Sequence, residues 1–309
     1  MFISQGLIIA LVCLIAAAAA QQTVETHAKI VGGYPITVTD VPYIVSIRVR
    51  YYHEKEFGMG HICGGALISE RVVCSAAHCF AENGTIPVKY RGSENYVVVA
   101  GGSNLNEKDS FTQVYLVQEI IGHHKYYYPT LENDIALVFL NGLIPSKCPT
   151  IRPLPLAERP ANQGTLCLIS GWGNKYKQLR QAIVPVVPQN VCSIIYFFLP
   201  QTQMCAGWLR GGIDACKGDS GGPLVCGGHL TGIISWGVDC GRMFFPGVYT
   251  NISNFTDWIR SANSSLDYAD FTLRSLHNKA SRSRFSLKLY VVYSALLTIY
   301  PNFSLQTHL

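Results

Sequence analysis

The sequence predicts an all-β fold, a barrel or a sandwich, and three observations predict it. From Ile30 to about Trp236, short apolar runs rich in Val, Ile and Tyr follow one another. Gly, Pro and Asn break them at short intervals, and only one stretch carries helical spacing. At 309 residues, 49% hydrophobic and 14% charged, the chain has apolar material for a large core, in one all-β unit or two smaller domains.

Taken in order, residues 1–20 read as a signal peptide. An apolar run from Leu7 ends in Ala18-Ala19-Ala20, the small-residue pattern that cleavage needs. The run is too short to span a bilayer, so export is favoured over an anchor. A short polar piece, residues 21–29, leads to Ile30-Val31-Gly32-Gly33. Strand-like runs follow: YIVSIRV (43–49), YVVVAG (96–101), VYLVQEIIG (114–122), DIALVFL (134–140), LCLISGWG (166–173) and HLTGIISWG (229–237). A helix closes the region, with Ser253 as its cap and Phe255, Trp258 and Ile259 at helical spacing.

The remaining residues, 267–309, form a C-terminal extension of different character, polar and basic to Arg284 and then apolar from Leu289 to Ile299. The composition fits a disordered extension, and weak surface attachment to a membrane is the alternative. Of the net charge of +5, this extension supplies +3, from Arg274, Lys279, Arg282, Arg284 and Lys288 against Asp267 and Asp270. The rest is nearly balanced, which does not support a nucleic-acid partner.

Of 11 cysteines, Cys13 lies in the signal, and the even remainder in an exported chain favours disulfides. No paired C-x-x-C or His pair accompanies them, so no metal site is expected.

The chemistry concentrates in three places. A serine hydroxyl is a weak nucleophile and needs a base, and the base needs orienting. DACKGDSGGP (214–223) sets Ser220 in a turn whose glycines allow unusual backbone angles and close approach by a substrate. CSAAHC sets His78 beside Cys79, and NDIAL sets Asp134 at the start of an apolar strand.

With IVGG, AAHC, DIAL, GDSGGP, SWG and PGVYT in that order, the chain resembles the trypsin-like (chymotrypsin-fold) serine proteases over residues 30 to about 266. The resemblance implies two six-stranded antiparallel β-barrels with a C-terminal helix. The triad template is the family's own, so its roles are carried over. Ser220 would attack the scissile carbonyl, His78 would carry the proton and Asp134 would hold His78. The N–H groups of Gly218 and Ser220 would form the oxyanion hole. A catalytically silent, protease-like binding or regulatory protein is the alternative, disfavoured because His78, Asp134 and Ser220 are all present. A protein acting through a membrane-attached tail is a third reading.

By resemblance, Asp214 lies at the base of the pocket for the residue before the cut. A buried carboxylate there calls for a cation, hence Arg or Lys. Gly237 and Gly247 would leave the walls open, with Trp236 flanking and Ser235 preceding it. Ala215 stands where many trypsins carry serine, which removes a partner for lysine and favours Arg. Asp239 and Lys217 depart from the usual rim residues.

Lys29 and Ile30 match the activation site, and the freed Ile30 amine would bury itself beside Asp219. Ser46 and His61 match positions that hold this aspartate astray in some zymogens. The implied disulfides are Cys63–Cys79, Cys167–Cys226, Cys192–Cys205 and Cys216–Cys240. That leaves Cys74, a buried thiol or half of a fifth bridge, and Cys148.

The segments 49–62 and 80–96 are longer than in simple trypsins and should restrict substrates, whereas GNKYKQLRQ after Trp172 is short. Gly102 stands where a calcium ligand would, and Pro246 where sodium-sensitive relatives carry Tyr, so neither ion nor any other cofactor is expected. Sequons begin at Asn83, Asn251, Asn254, Asn263 and Asn302, with Asn83 the best placed for a glycan. The whole describes a secreted, extracellular monomer. Its expected partners are polypeptides with Arg or Lys before the cut, an activating protease and serpin-type inhibitors.

Overall fold

The structure, a computed structural model, describes residues 30–82, 84–145, 147–173 and 177–265. The signal, the activation piece with Lys29, the sequons at Asn83 and Asn302 and the extension 267–309 lie outside the described residues.

Among the described residues, thirteen strands carry the fold. A first closed barrel runs β2 (Ile44–Val49), β3 (His61–Leu67), β4 (Val72–Ser75), β7 (Ala136–Leu140), β6 (Gln113–Gly122) and β5 (Tyr96–Ala100). The second runs β9 (Arg180–Val187), β10 (Gln203–Ala206), β13 (Gly247–Asn251), β12 (His229–Trp236), β11 (Pro223–Cys226) and β8 (Leu166–Gly171), and pairing of β8 with β9 closes it. The short β1 (Tyr34–Pro35) adds to its β9 edge. Every pairing between these strands is antiparallel. These are the two six-stranded barrels that the resemblance implied.

The side-chain pattern explains the closure. β5 and β7 are buried at every position, and β2 at all but its last, because one face fills a barrel and the other is covered. Such strands read as continuous apolar runs rather than alternating ones. β6 does alternate for much of its length, as a strand with one wet face should. Each barrel has its own packed core, with Ile169, Val184, Leu224, Ile234 and Tyr249 at the centre of the second.

Two helices were not anticipated. α1 (Arg50–Lys55) occupies the enlarged segment after β2, and α2 (Gln189–Ile195) follows β9. The predicted closing helix is α3 (Thr256–Ser264), but Ser253 does not cap it. Ser253 lies in the preceding 3-10 turn Ile252–Asn254, and its hydroxyl donates to Asn251 Oδ1. The chain divides into two units, the first ending at Ile259 and the second beginning at Arg260.

Candidate active site

His78 sits in a 3-10 turn, Ala77–Cys79, that the Cys63–Cys79 disulfide ties to β3. Asp134 lies two residues before β7 and is fully buried. Its Oδ1 accepts the His78 backbone N–H at 2.8 Å, and its Oδ2 accepts from His78 Nδ1 at 2.8 Å. Ser235 donates its hydroxyl to the same Oδ2 at 2.5 Å. A buried carboxylate thus has its lone pairs met by donors, as burial demands. Burial works against a charged His78, but the charge of Asp134 and its hydrogen bond carry the imidazole above its ordinary value. With Nδ1–H committed to Asp134, Nε2 is left as the basic nitrogen.

Ser220 lies in a turn between the barrels, where its carbonyl accepts the Gly64 N–H of β3 at 2.8 Å. Gly221 holds φ at +78°, and a Cβ there would fall 2.6 Å from the Gly64 carbonyl oxygen, so only glycine fits. The N–H of Asp219 donates to Cys216 O and that of Gly221 to Ile234 O, but those of Gly218 and Ser220 donate to no described residue. Two spare backbone donors flanking a serine can receive a developing oxyanion.

Ser220 is also where two cavities meet. One is lined by Asp214, Ala215, Ser235, Trp236, Gly237 and Gly247, with Lys217 and Asp239 also in its wall. The other holds His78, Cys79, Ile62, Arg91, Asn95 and Tyr96. Asp214 is 3% exposed, and its carboxylate accepts the N–H groups of Ala215 at 2.8 Å and Gly241 at 3.1 Å. Burial pushes its pKa up to about 7, those two bonds oppose the shift, and Asp219 and Asp239 add to it. A Cβ at Gly247 would lie 2.8 Å from Asp214 Oδ1 and 3.2 Å from the Tyr249 hydroxyl, so its absence is what keeps the pocket floor open.

Asp219 is equally buried. It accepts the Gly173 N–H at 2.7 Å, the Cys216 N–H at 3.0 Å and the Ile30 backbone N–H at 3.4 Å. Val31 and Asp214 exchange backbone hydrogen bonds of 2.8 and 3.2 Å. The residues after Lys29 are therefore tied both to the serine turn and to the pocket base.

The fold brings His78, Asp134, Ser220, Gly218, Asp214 and Asp219 to one place, along with the pocket residues named from the sequence. Ser235 lines the pocket, but its hydroxyl is spent on Asp134. Three features were missed. Thr250 donates to the Asp134 carbonyl at 2.7 Å, the Tyr249 hydroxyl is buried beside Asp214 with no hydrogen-bond partner among the described residues, and Arg91 lines the second cavity. The first two sit in PGVYT, a motif in which roles were assigned only to Pro246 and Gly247. The described disulfides join Cys63 to Cys79, Cys167 to Cys226, Cys192 to Cys205 and Cys216 to Cys240. Cys74 is a free, buried thiol and Cys148 a free, half-buried one. The cluster Cys63, His78 and Cys79 has metal-ligating types, but its sulfurs form a disulfide, which leaves no thiolate.

Known proteins resemble this chain in sequence. A family model described as Trypsin matches residues 30–259. Trypsin I-P1 of Gallus gallus is 39% identical over 253 residues, which cover 78% of this chain and 92% of the relative. Anionic trypsin of Bos taurus is 40% identical over 249 residues, covering 76% and 91%. Trypsin of Xenopus laevis is 38% identical over 249 residues, covering 78% and 93%.

Proposed function

The chain belongs to the trypsin family of serine endopeptidases acting on polypeptides, and from that premise we propose a secreted zymogen whose trimmed form cuts after Arg, and less readily after Lys. The observation that carries this reading is the position of Ser220, shared by a cavity with a buried acid at its base and one lined by His78.

The chemistry follows from the geometry. A polypeptide places an Arg side chain against Asp214 and its carbonyl over Ser220. His78 Nε2 takes the Ser220 proton as Oγ bonds to the carbonyl carbon, and the oxyanion falls to the N–H groups of Gly218 and Ser220. Loss of one such donor typically costs ~10²–10³ in rate. The imidazolium, steadied by Asp134, protonates the leaving amine as the C–N bond breaks. Water then attacks the acyl-enzyme with His78 again as base, releasing the acid and restoring Ser220.

Arg is favoured because Ala215 offers no hydroxyl to a lysine ammonium, whereas a guanidinium can bridge the Asp214 carboxylate. Cleavage after Lys29 switches the enzyme on by freeing the Ile30 amine toward Asp219. Losing either partner of such a buried pair costs ~3–5 kcal/mol. The enlarged segments 49–62 and 80–96 narrow the substrate range, and serpin-type inhibitors and an activating protease complete the expected partners. Asn83 carries a glycan in this reading.

The test is turnover of matched chromogenic peptides ending in Arg and in Lys by the trimmed protein. Faster cleavage after Arg, lost in Ser220→Ala, is expected. No turnover would make the chain a silent relative, and equal rates for the two peptides would refute the role given to Ala215.

A further inference from the structure

Beneath α1, strand β2 carries a cation that no motif announces. Arg48 is 1% exposed, and among the described residues no carboxylate pairs with it. Its Nε–H donates to Ser46 Oγ at 2.9 Å and an Nη2–H to the Leu105 carbonyl at 3.0 Å. Nη1 lies 3.4 Å from His53 Nδ1 on α1, and the guanidinium sits 4.8 Å over the Phe57 ring just beyond it. Burial lowers its pKa to about 10, which leaves it charged at neutral pH. A buried cation without a counter-ion is costly, and here hydrogen bonds and an aromatic face from the enlarged segment offset the cost.

The cation leads into the catalytic turn. The ladder between β2 and β3 shifts register between Ile47 and Arg48 and sets Arg48 opposite His61. Ser46 Oγ lies 2.9 Å from His61 Nδ1, and His61 Nε2 lies 2.9 Å from the Gly218 carbonyl oxygen. Both ends fix the direction of this chain. A carbonyl only accepts, so Nε2 bears the hydrogen; Nδ1 then accepts from the Ser46 hydroxyl, whose lone pair takes the Arg48 N–H. The same His61 bond is what restrains the Gly218 carbonyl, which accepts from no other described donor, on a residue whose φ is +96°.

We propose that Arg48 is a positioning residue for the oxyanion site: held from outside by α1 and Phe57, it orders Ser46 and His61 so that His61 pins the Gly218 carbonyl and, with it, the adjacent N–H donors. This rests on the reading of Gly218 and Ser220 as the oxyanion donors. The surroundings of His61 agree with a neutral ring. Burial first, then the charges of Arg48 and Lys177, lower its pKa to about 4 against the opposing bond to Gly218, and the Trp172 ring lies 5.9 Å away. The enlarged segment, on this view, does more than border the cleft. It completes the burial of a charge that acts on the catalytic turn.

The experiment uses the trimmed full-length enzyme on an Arg-ending chromogenic peptide. Arg48→Met should lower kcat about tenfold with KM within a factor of two, short of the ~10²–10³ lost when a donor is removed outright. Arg48→Lys, which keeps a charged donor, should recover most of it. Ser46→Ala breaks the same chain with the cation in place and should give a similar loss. In the double variant the two losses should not multiply. If Arg48→Met does not fold, Ser46→Ala decides alone. Wild-type kcat in a folded Arg48→Met or in Ser46→Ala, or losses that multiply, overturns the inference while the wild type still turns over. A wild type without turnover overturns the underlying reading as well.

Discussion

On the proposed reading two demands oppose each other at Asp214: the carboxylate must be buried to select a cation, and burial favours its neutral form. With its pKa pushed up to about 7, the empty pocket loses its negative charge as pH falls below neutrality. KM for an Arg substrate should therefore rise as pH drops from 8 to 6. kcat should fall separately as His78 protonates, with a midpoint above the 6.5 of an ordinary imidazole. Initial-rate measurements across that range separate the two, and a KM flat with pH would contradict the account of Asp214. His78, Asp134 and Ser220 were legible in the sequence because short motifs surround them. Arg48 was not. Within IVSIRV an arginine reads as the wet face of a strand, and only the cover given by His53 and Phe57 makes it a core residue.

The elements divide along similar lines. Apolar runs revealed six of the thirteen described strands, since closing each barrel buries both faces of several of them. The helices α1 and α2 escaped because each is barely two turns, carries no side-chain cap and has no acidic residue in its first turn. Helices so short draw their stability from tertiary contacts rather than from local signals. The predicted cap at Ser253 failed for a related reason, since its hydroxyl found Asn251 first. The enlarged segment before β5 carries a consequence of its own. Arg91 is exposed and lines the cavity that holds His78 and Ser220, which on the proposed reading takes the leaving group, and its guanidinium has no partner among the described residues. Peptides with Asp or Glu just after the cut should be preferred by a few-fold, more so at low salt. Arg91→Glu should invert that preference, as read by product sequencing of a peptide library. An unchanged profile would remove Arg91 from the specificity account.

For the molecule as a whole, the response to acid is a balance of buried groups, in which two histidines weaken the fold. Burial is the main cause that lowers both His61 and His123 to about 4, with neighbouring positive charges adding to it. A depressed histidine pKa means that the unfolded chain binds more protons between roughly pH 6.5 and 4, so stability present above that window is lost on entering it. His61 contributes at most about 3 kcal/mol, and the buried His123 no more. His78 and Asp214, both raised, take up protons in the folded state over the same range and oppose them. Calorimetry of Ser220→Ala protein, which cannot digest itself, should therefore show Tm falling more steeply from pH 7 to 4.5 once Asp214→Asn removes that carboxyl, and matching profiles would contradict the assignment.

On the proposed reading activation also couples distant parts of the sequence, because Ile30 and Val31 hydrogen-bond Asp219 and Asp214. The most direct measurement is labelling by a fluorophosphonate before and after cleavage at Lys29, with the adduct located by peptide mass. One label per chain on Ser220, appearing only slowly before the cut and lost in Ser220→Ala, is the predicted result. Folded, trimmed protein that takes no label, or takes it at another residue, would contradict the account.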